Sequence, residues 1–134
     1  MRTLLVTTAL ATTLLAGCSE AEDIVRGAAE DAGCAAAQQA MDEAERRARD
    51  AVADLKADPQ AAERELTAVR DVLAAAEQGL GGETRQQVDR AGKAVGRLLT
   101  QARGAAEGTR VDDEAVADAE RRLDDAVGEI TTVC

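Results

Sequence analysis

Residues 62–80 read AERELTAVRDVLAAAEQGL and carry the pattern that decides the fold. Apolar side chains recur in this stretch at alternating spacings of three and four residues. They are Ala62, Leu66, Val69, Leu73, Ala76 and Leu80. An α-helix places such positions on one face, so the stretch predicts an amphipathic helix with a heptad seam, meaning a continuous apolar line along that face.

Three other segments repeat the same spacing, and alanine fills many of their seam positions. The first seam is Cys34, Ala37, Met41, Ala44, Ala48, Ala51 and Leu55; the third is Val88, Ala91, Val95, Leu98, Ala102 and Ala105; the fourth is Val116, Ala119, Leu123, Ala126, Ile130 and Val133. Four amphipathic segments of similar length predict four helices that bury their seams against each other.

Turn-forming residues separate the four segments. Asp58 and Pro59 suit a helix cap followed by the first helical position. The glycines of 79–82 precede Thr84, which we predict to cap the third helix in a capping box with Gln87. Asp112 follows the last break and starts an acidic first turn. These short loops predict an all-α fold, an up-down-up-down antiparallel four-helix bundle with Ala-rich heptad seams.

Charged side chains outside the seams support helices. Acidic residues stand four positions before basic ones, the order that favours ion pairs along a helix. The predicted pairs are Asp42 with Arg46, Glu43 with Arg47, Glu45 with Arg49, Asp89 with Lys93 and Asp118 with Arg122.

Composition excludes several function classes. The 134 residues include 31 alanines but no His, Phe, Tyr or Trp, so His-based metal sites, His acid–base pairs and aromatic stacking platforms are all ruled out. A net charge of −10 argues against nucleic-acid binding. The acidic clusters lack the ligand spacing of a calcium loop. We therefore expect no enzyme activity, cofactor, metal or nucleic-acid partner.

The amino terminus has the pattern of an export signal. A basic residue, Arg2, precedes the uncharged and largely apolar run LLVTTALATTLL at residues 4–15. Twelve residues match a secretory signal, whereas about 20 are needed to span a membrane. The run ends in Leu15, Ala16, Gly17 and Cys18, which resembles the lipobox of bacterial lipoproteins at each of its four positions.

This resemblance implies that Cys18 receives a diacylglyceryl group and that signal peptidase II, recognising Leu15, Ala16 and Gly17, cuts before it. Residues 1–17 would then be a cleaved signal peptide, 18–33 a lipidated and acidic tether, and 34–134 the helical domain. The membrane would be a partner through the lipid anchor, on the extracytoplasmic face of the cell. The processed chain would carry 15 basic and 26 acidic residues, a net charge of −11.

The other two cysteines, Cys34 and Cys134, would then be the remaining thiols of an exported chain. In a bundle with an even number of helices, the start of the first helix and the end of the last lie at the same end. We therefore predict a disulfide between them. A bridge between two chains, or two free thiols, is the alternative.

Glycines form a stripe on the third predicted helix, at Gly92, Gly96, Gly104 and Gly108. An internal helical glycine is less favourable than alanine by about 1 kcal/mol. The glycines therefore predict that another backbone approaches the third helix closely. A neighbouring helix of the bundle is the expected one, and a partner protein is the alternative.

Two function classes follow. The first is a non-enzymatic envelope lipoprotein that acts as a structural or protein-interaction module, with an envelope protein as a partner. The alternative is a ligand-binding lipoprotein that holds a small apolar or cationic molecule within the bundle. A self-assembling coiled-coil rod is a third possibility, and the sequence leaves the oligomeric state open.

Overall fold

A computed structural model describes the backbone of residues 18–134 and the side chains of residues 31–134. Within this part of the chain the fold is all-α, without strands. The four helices are α1 (Cys18–Asp54), α2 (Pro59–Glu77), α3 (Gly82–Ala106) and α4 (Asp113–Val133). They pack around a single aliphatic core as a four-helix bundle, which confirms the predicted fold class.

The core consists of the four predicted seams. Met41, Leu66, Val95, Leu98 and Ile130 have no exposed surface. The ends of the seams are less enclosed, and Ala76, Leu80 and Val133 are partly buried against the core. Three buried residues beside the seams, Ala94, Leu99 and Val127, widen the apolar faces of α3 and α4. The heptad pattern therefore identified nearly the whole interior.

Two of the predicted helix starts are confirmed by their hydrogen bonds. The Asp58 carboxylate accepts a bond of 2.9 Å from the backbone N–H of Ala61, with Pro59 as the first helical residue. The Asp112 carboxylate accepts bonds of 3.1 Å from the N–H groups of Glu114 and Ala115. Such caps satisfy N–H groups that a helix cannot bond internally.

The predicted capping role of Thr84 is wrong. Helix α3 begins two residues earlier, at Gly82, with Gly81 as its cap and no side-chain capping bond. Gly82 has φ +55°, a left-handed conformation that residues with a Cβ atom rarely adopt. The glycines can therefore turn the chain into the helix by backbone geometry, and Thr84 is left to make other contacts.

The disulfide and the ion pairs between neighbouring helices occur in opposite residue orders along the two helices that they join. Between α1 and α4 the pairs are Cys34 with Cys134, Arg49 with Asp124 and Lys56 with Asp113; between α3 and α4 they are Arg90 with Glu129 and Arg97 with Asp118. In each series, residue numbers rise on one helix as they fall on the other. This is the order that an up-down-up-down arrangement predicts.

Three of the five predicted ion pairs along helices form, at Glu45, Asp89 and Asp118. The other two differ from the prediction. Arg46 pairs with Glu43, while Arg47 reaches across to Glu65 on α2. A contact between helices thus replaces one predicted within α1.

The residues of the predicted tether belong to the first helix. Helix α1 begins at Cys18, so the backbone of residues 18–33 is helical. The alanine and glutamate content of this segment favours a helix, and the helix is continuous through Cys34 into the bundle. At a rise of 1.5 Å per residue, the helix advances about 24 Å over the sixteen steps from Cys18 to Cys34.

The predicted close approach of a neighbouring helix to the glycine stripe is wrong. A Cβ atom added to Gly92 or Gly96 would meet nothing within 4 Å. At Gly104 it would meet only Thr109 of the following loop, and Gly108 has φ +87° in the turn that ends α3. Of these four glycines, only Gly108 has a positive φ angle that favours glycine over other residues.

The fully buried Leu98 provides a test of the core. We expect Leu98→Ala to lower the free energy of unfolding by about 2–5 kcal/mol, through lost burial and a cavity. Urea unfolding followed by circular dichroism measures it. The control is Val72→Ala, because Val72 is 41% exposed; equal losses for the two variants would contradict the assigned core.

Candidate functional site

A disulfide joins Cys34 of α1 to Cys134, the residue that ends α4, with their Cα atoms 5.5 Å apart. The predicted pairing is therefore present in the structure. Thr84 at the start of α3 lies beside it, with its hydroxyl oxygen 3.8 Å from the Cys34 sulfur and 3.9 Å from the Cys134 sulfur. Because a disulfide sulfur carries no proton, the hydroxyl is the donor. Three helices thus meet at this end of the bundle.

Cys18, the predicted lipidation site, is the first residue of α1. It therefore belongs to the same helix as Cys34 and lies on the disulfide side of the bundle. The side chain of Cys18 and the predicted recognition residues Leu15, Ala16 and Gly17 lie outside the described residues.

Reduction of the disulfide should destabilise the bundle. The bond closes a loop with a sequence separation of 100 residues, and such closures contribute about 2–4 kcal/mol. We expect dithiothreitol to lower the urea midpoint of the wild-type chain. The double variant Cys34→Ser, Cys134→Ser should match the reduced protein and should not respond to the reductant. A response of that variant, or no response of the wild type, would contradict a stabilising closure.

A group of charged side chains spans the contact between α1 and α4. The Arg49 guanidinium lies 2.5 Å from a Glu45 oxygen and 3.1 Å from an Asp124 oxygen, so it bridges two carboxylates. The pKa of Glu45 is raised, chiefly because burial disfavours its charged form, although Arg49 opposes the shift. The carboxylates of Asp124 and Asp42 raise this pKa further.

Glu45 should therefore destabilise the folded chain when ionised. A raised pKa means that the folded state holds the proton more tightly, so this contribution to stability falls as pH rises through the folded-state pKa. We expect Glu45→Gln to raise the melting temperature at pH 7, because it removes the charge that burial disfavours. The gain should shrink toward pH 4, as the wild-type carboxyl becomes protonated.

Glu65→Gln is a matched control that removes the same charge. The hydrogen bond from Arg47 lowers the pKa of Glu65, so its ionised form stabilises the folded state and this contribution is lost as pH falls. We expect this variant to melt lower than wild type at pH 7, with a difference that disappears in acid. The same sign for both variants would contradict these assignments.

The bundle surface carries open depressions at different places. One of about 320 Å³ lies between α3 and α4. A second lies among the loops at the end opposite the disulfide, beside Leu55 and Val111, and another follows the outer side of α1 near Val72. The sequence reasoning identified none of them, because each combines residues from separate segments.

Groups of three or more His, Cys, Asp or Glu residues that could hold a metal ion are absent from the described part of the chain. None of the helices described is both long enough and apolar enough to cross a membrane. Comparisons of the chain with protein-family models, with curated proteins and with solved structures found no match.

Proposed function

We propose that this chain is a lipid-anchored lipoprotein of the bacterial cell envelope. It is attached through Cys18 at the extracytoplasmic face of the membrane, and its bundle acts as a non-enzymatic structural or protein-interaction module. The observation that carries the proposal is the Cys34–Cys134 disulfide. Disulfides persist in oxidising compartments, where an exported chain resides.

The distribution of the three cysteines supports the anchor. Two of them form the disulfide, which leaves Cys18, at the last position of the lipobox pattern, as the thiol for acylation. A thioether-linked diacylglyceryl group supplies two acyl chains, and two chains anchor a protein stably where one would not.

The packing of the bundle favours an interaction module over an internal ligand site. A bundle that held a small apolar or cationic molecule would need open volume between its helices. Here Met41, Leu66, Val95 and Leu98 belong to one core cluster and have no exposed surface, and the depressions named above are on the outside. Contacts with an envelope protein would therefore use the outer faces.

Mass spectrometry of the membrane fraction tests the anchor. We expect an N-terminal peptide that begins at an acylated Cys18, and we expect Cys18→Ser to abolish acylation and cleavage. Cys34→Ser is the control, because it removes a thiol from the bundle and leaves the lipobox pattern intact. A peptide that retains Met1, or one that begins at an unmodified Cys18, would refute the lipoprotein assignment.

A further inference from the structure

Helix α3 differs in charge from the rest of this acidic chain. It carries five basic residues and two acidic ones, whereas the adjacent α4 carries two basic and seven acidic. Arg90, Lys93 and Arg97 succeed one another at spacings of three and four, so they share one outer face of α3. A cationic ridge therefore runs along a protein whose net charge is −10.

This ridge forms one wall of the groove between α3 and α4. The groove has alanine side chains at its floor and charged side chains around it; its lining is Arg90, Lys93, Ala94, Arg97, Arg122, Asp125, Ala126 and Glu129. Ala94 and Ala126 are buried, whereas the four cationic side chains are each more than half exposed. A ligand on the alanine floor would be within reach of all four.

At one end of the groove, several arginines share a single carboxylate. Asp118 contacts three guanidinium groups, with distances of 2.7 Å to Arg122, 3.3 Å to Arg97 and 3.5 Å to Arg121. The hydrogen bond from Arg122 is the main reason that the pKa of Asp118 is lowered. Asp125 of the groove lining is a second carboxylate, so Asp118 and Asp125 together leave one positive charge of the three guanidinium groups, with N–H donors for another anion.

The other two cations are each matched by one carboxylate. Arg90 lies 2.9 Å from Glu129, and Lys93 lies 2.6 Å from Asp89. These pairs are exposed, and exposed ion pairs contribute only about 0–1 kcal/mol. They can therefore exchange for a bound anion, while the excess charge around Asp118 determines where that anion is held most strongly.

We propose that the groove between α3 and α4 binds a phosphoryl-bearing anion, with Arg97 and Arg122 as its main ligands. Guanidinium groups bind phosphate through two parallel hydrogen bonds, which suits the paired arginines facing each other across the groove. A protein partner fits less well, because a stable protein interface needs large apolar anchors and the apolar part of this lining is alanine. This site goes beyond the proposed anchor and does not depend on it.

Calorimetric titration of the full chain in non-ionic detergent tests the site. Tripolyphosphate serves as the soluble probe and dihexanoyl phosphatidylglycerol as the phospholipid probe. We expect at least one probe to bind, and the double variant Arg97→Gln, Arg122→Gln to weaken binding about tenfold, as charge-assisted hydrogen bonds require. If the wild type binds tripolyphosphate and this double variant loses that binding, the ligand is a free phosphorylated anion. If the binding lost in the variant is that of phosphatidylglycerol, the ligand is a lipid headgroup.

The matched control is Arg85→Gln, Arg103→Gln, which removes the same charge from the other side of α3. These arginines pair with Glu77 and Glu63 of α2, outside the groove. The control should bind as the wild type does, whereas Asp118→Asn should bind more tightly because it removes the competing carboxylate. Circular dichroism verifies that every variant is folded. Absence of binding to both probes, or an equal loss in the two double variants, overturns the proposal.

Discussion

The whole bundle depends on close contact between α1, whose buried side chains are mostly alanine, and the larger apolar side chains of the other three helices. Alanine fills the α1 seam at Ala37, Ala44, Ala48 and Ala51, and each alanine removes little apolar surface from water. The branched residues of the other three helices supply most of the burial. Helix α1 is therefore the one that apolar packing holds least firmly. The disulfide ties this same helix to α4, so the covalent closure is located where the hydrophobic contribution is weakest.

The sequence predicted the interior well because the interior is periodic. A heptad pattern depends only on spacing, and spacing alone determined which faces become buried. The caps at Asp58 and Asp112 were equally local, since each uses a side chain within three residues of the N–H groups it accepts from. Two predictions failed because a contact between helices replaced a local one. Thr84 meets the disulfide instead of capping its helix, and Arg47 pairs across to α2.

The candidate sites were predictable to different degrees. The lipobox resemblance set Cys18 apart, and an even number of helices then favoured pairing Cys34 with Cys134, because it brings the start of the first helix and the end of the last to the same end of the bundle. The groove between α3 and α4 was not predicted, because a net charge for the whole chain conceals one helix of opposite sign. Gln87, predicted as the capping-box partner of Thr84, is instead buried and accepts a hydrogen bond of 3.4 Å from Arg90. Charge summed helix by helix would have indicated the cationic ridge. It would not have shown that three arginines contact the single carboxylate of Asp118.

The continuous helix from Cys18 into the bundle has a mechanical consequence. A flexible peptide lets an attached domain tumble and sample any height above its point of attachment. A helix instead sets both length and direction, and it enters the bundle without a hinge at Cys34. A rotation or pull at the first residue of α1 would therefore move the whole bundle, because the helix acts as a lever without a joint. Attachment through such a lever would limit the angles from which another molecule reaches the groove between α3 and α4.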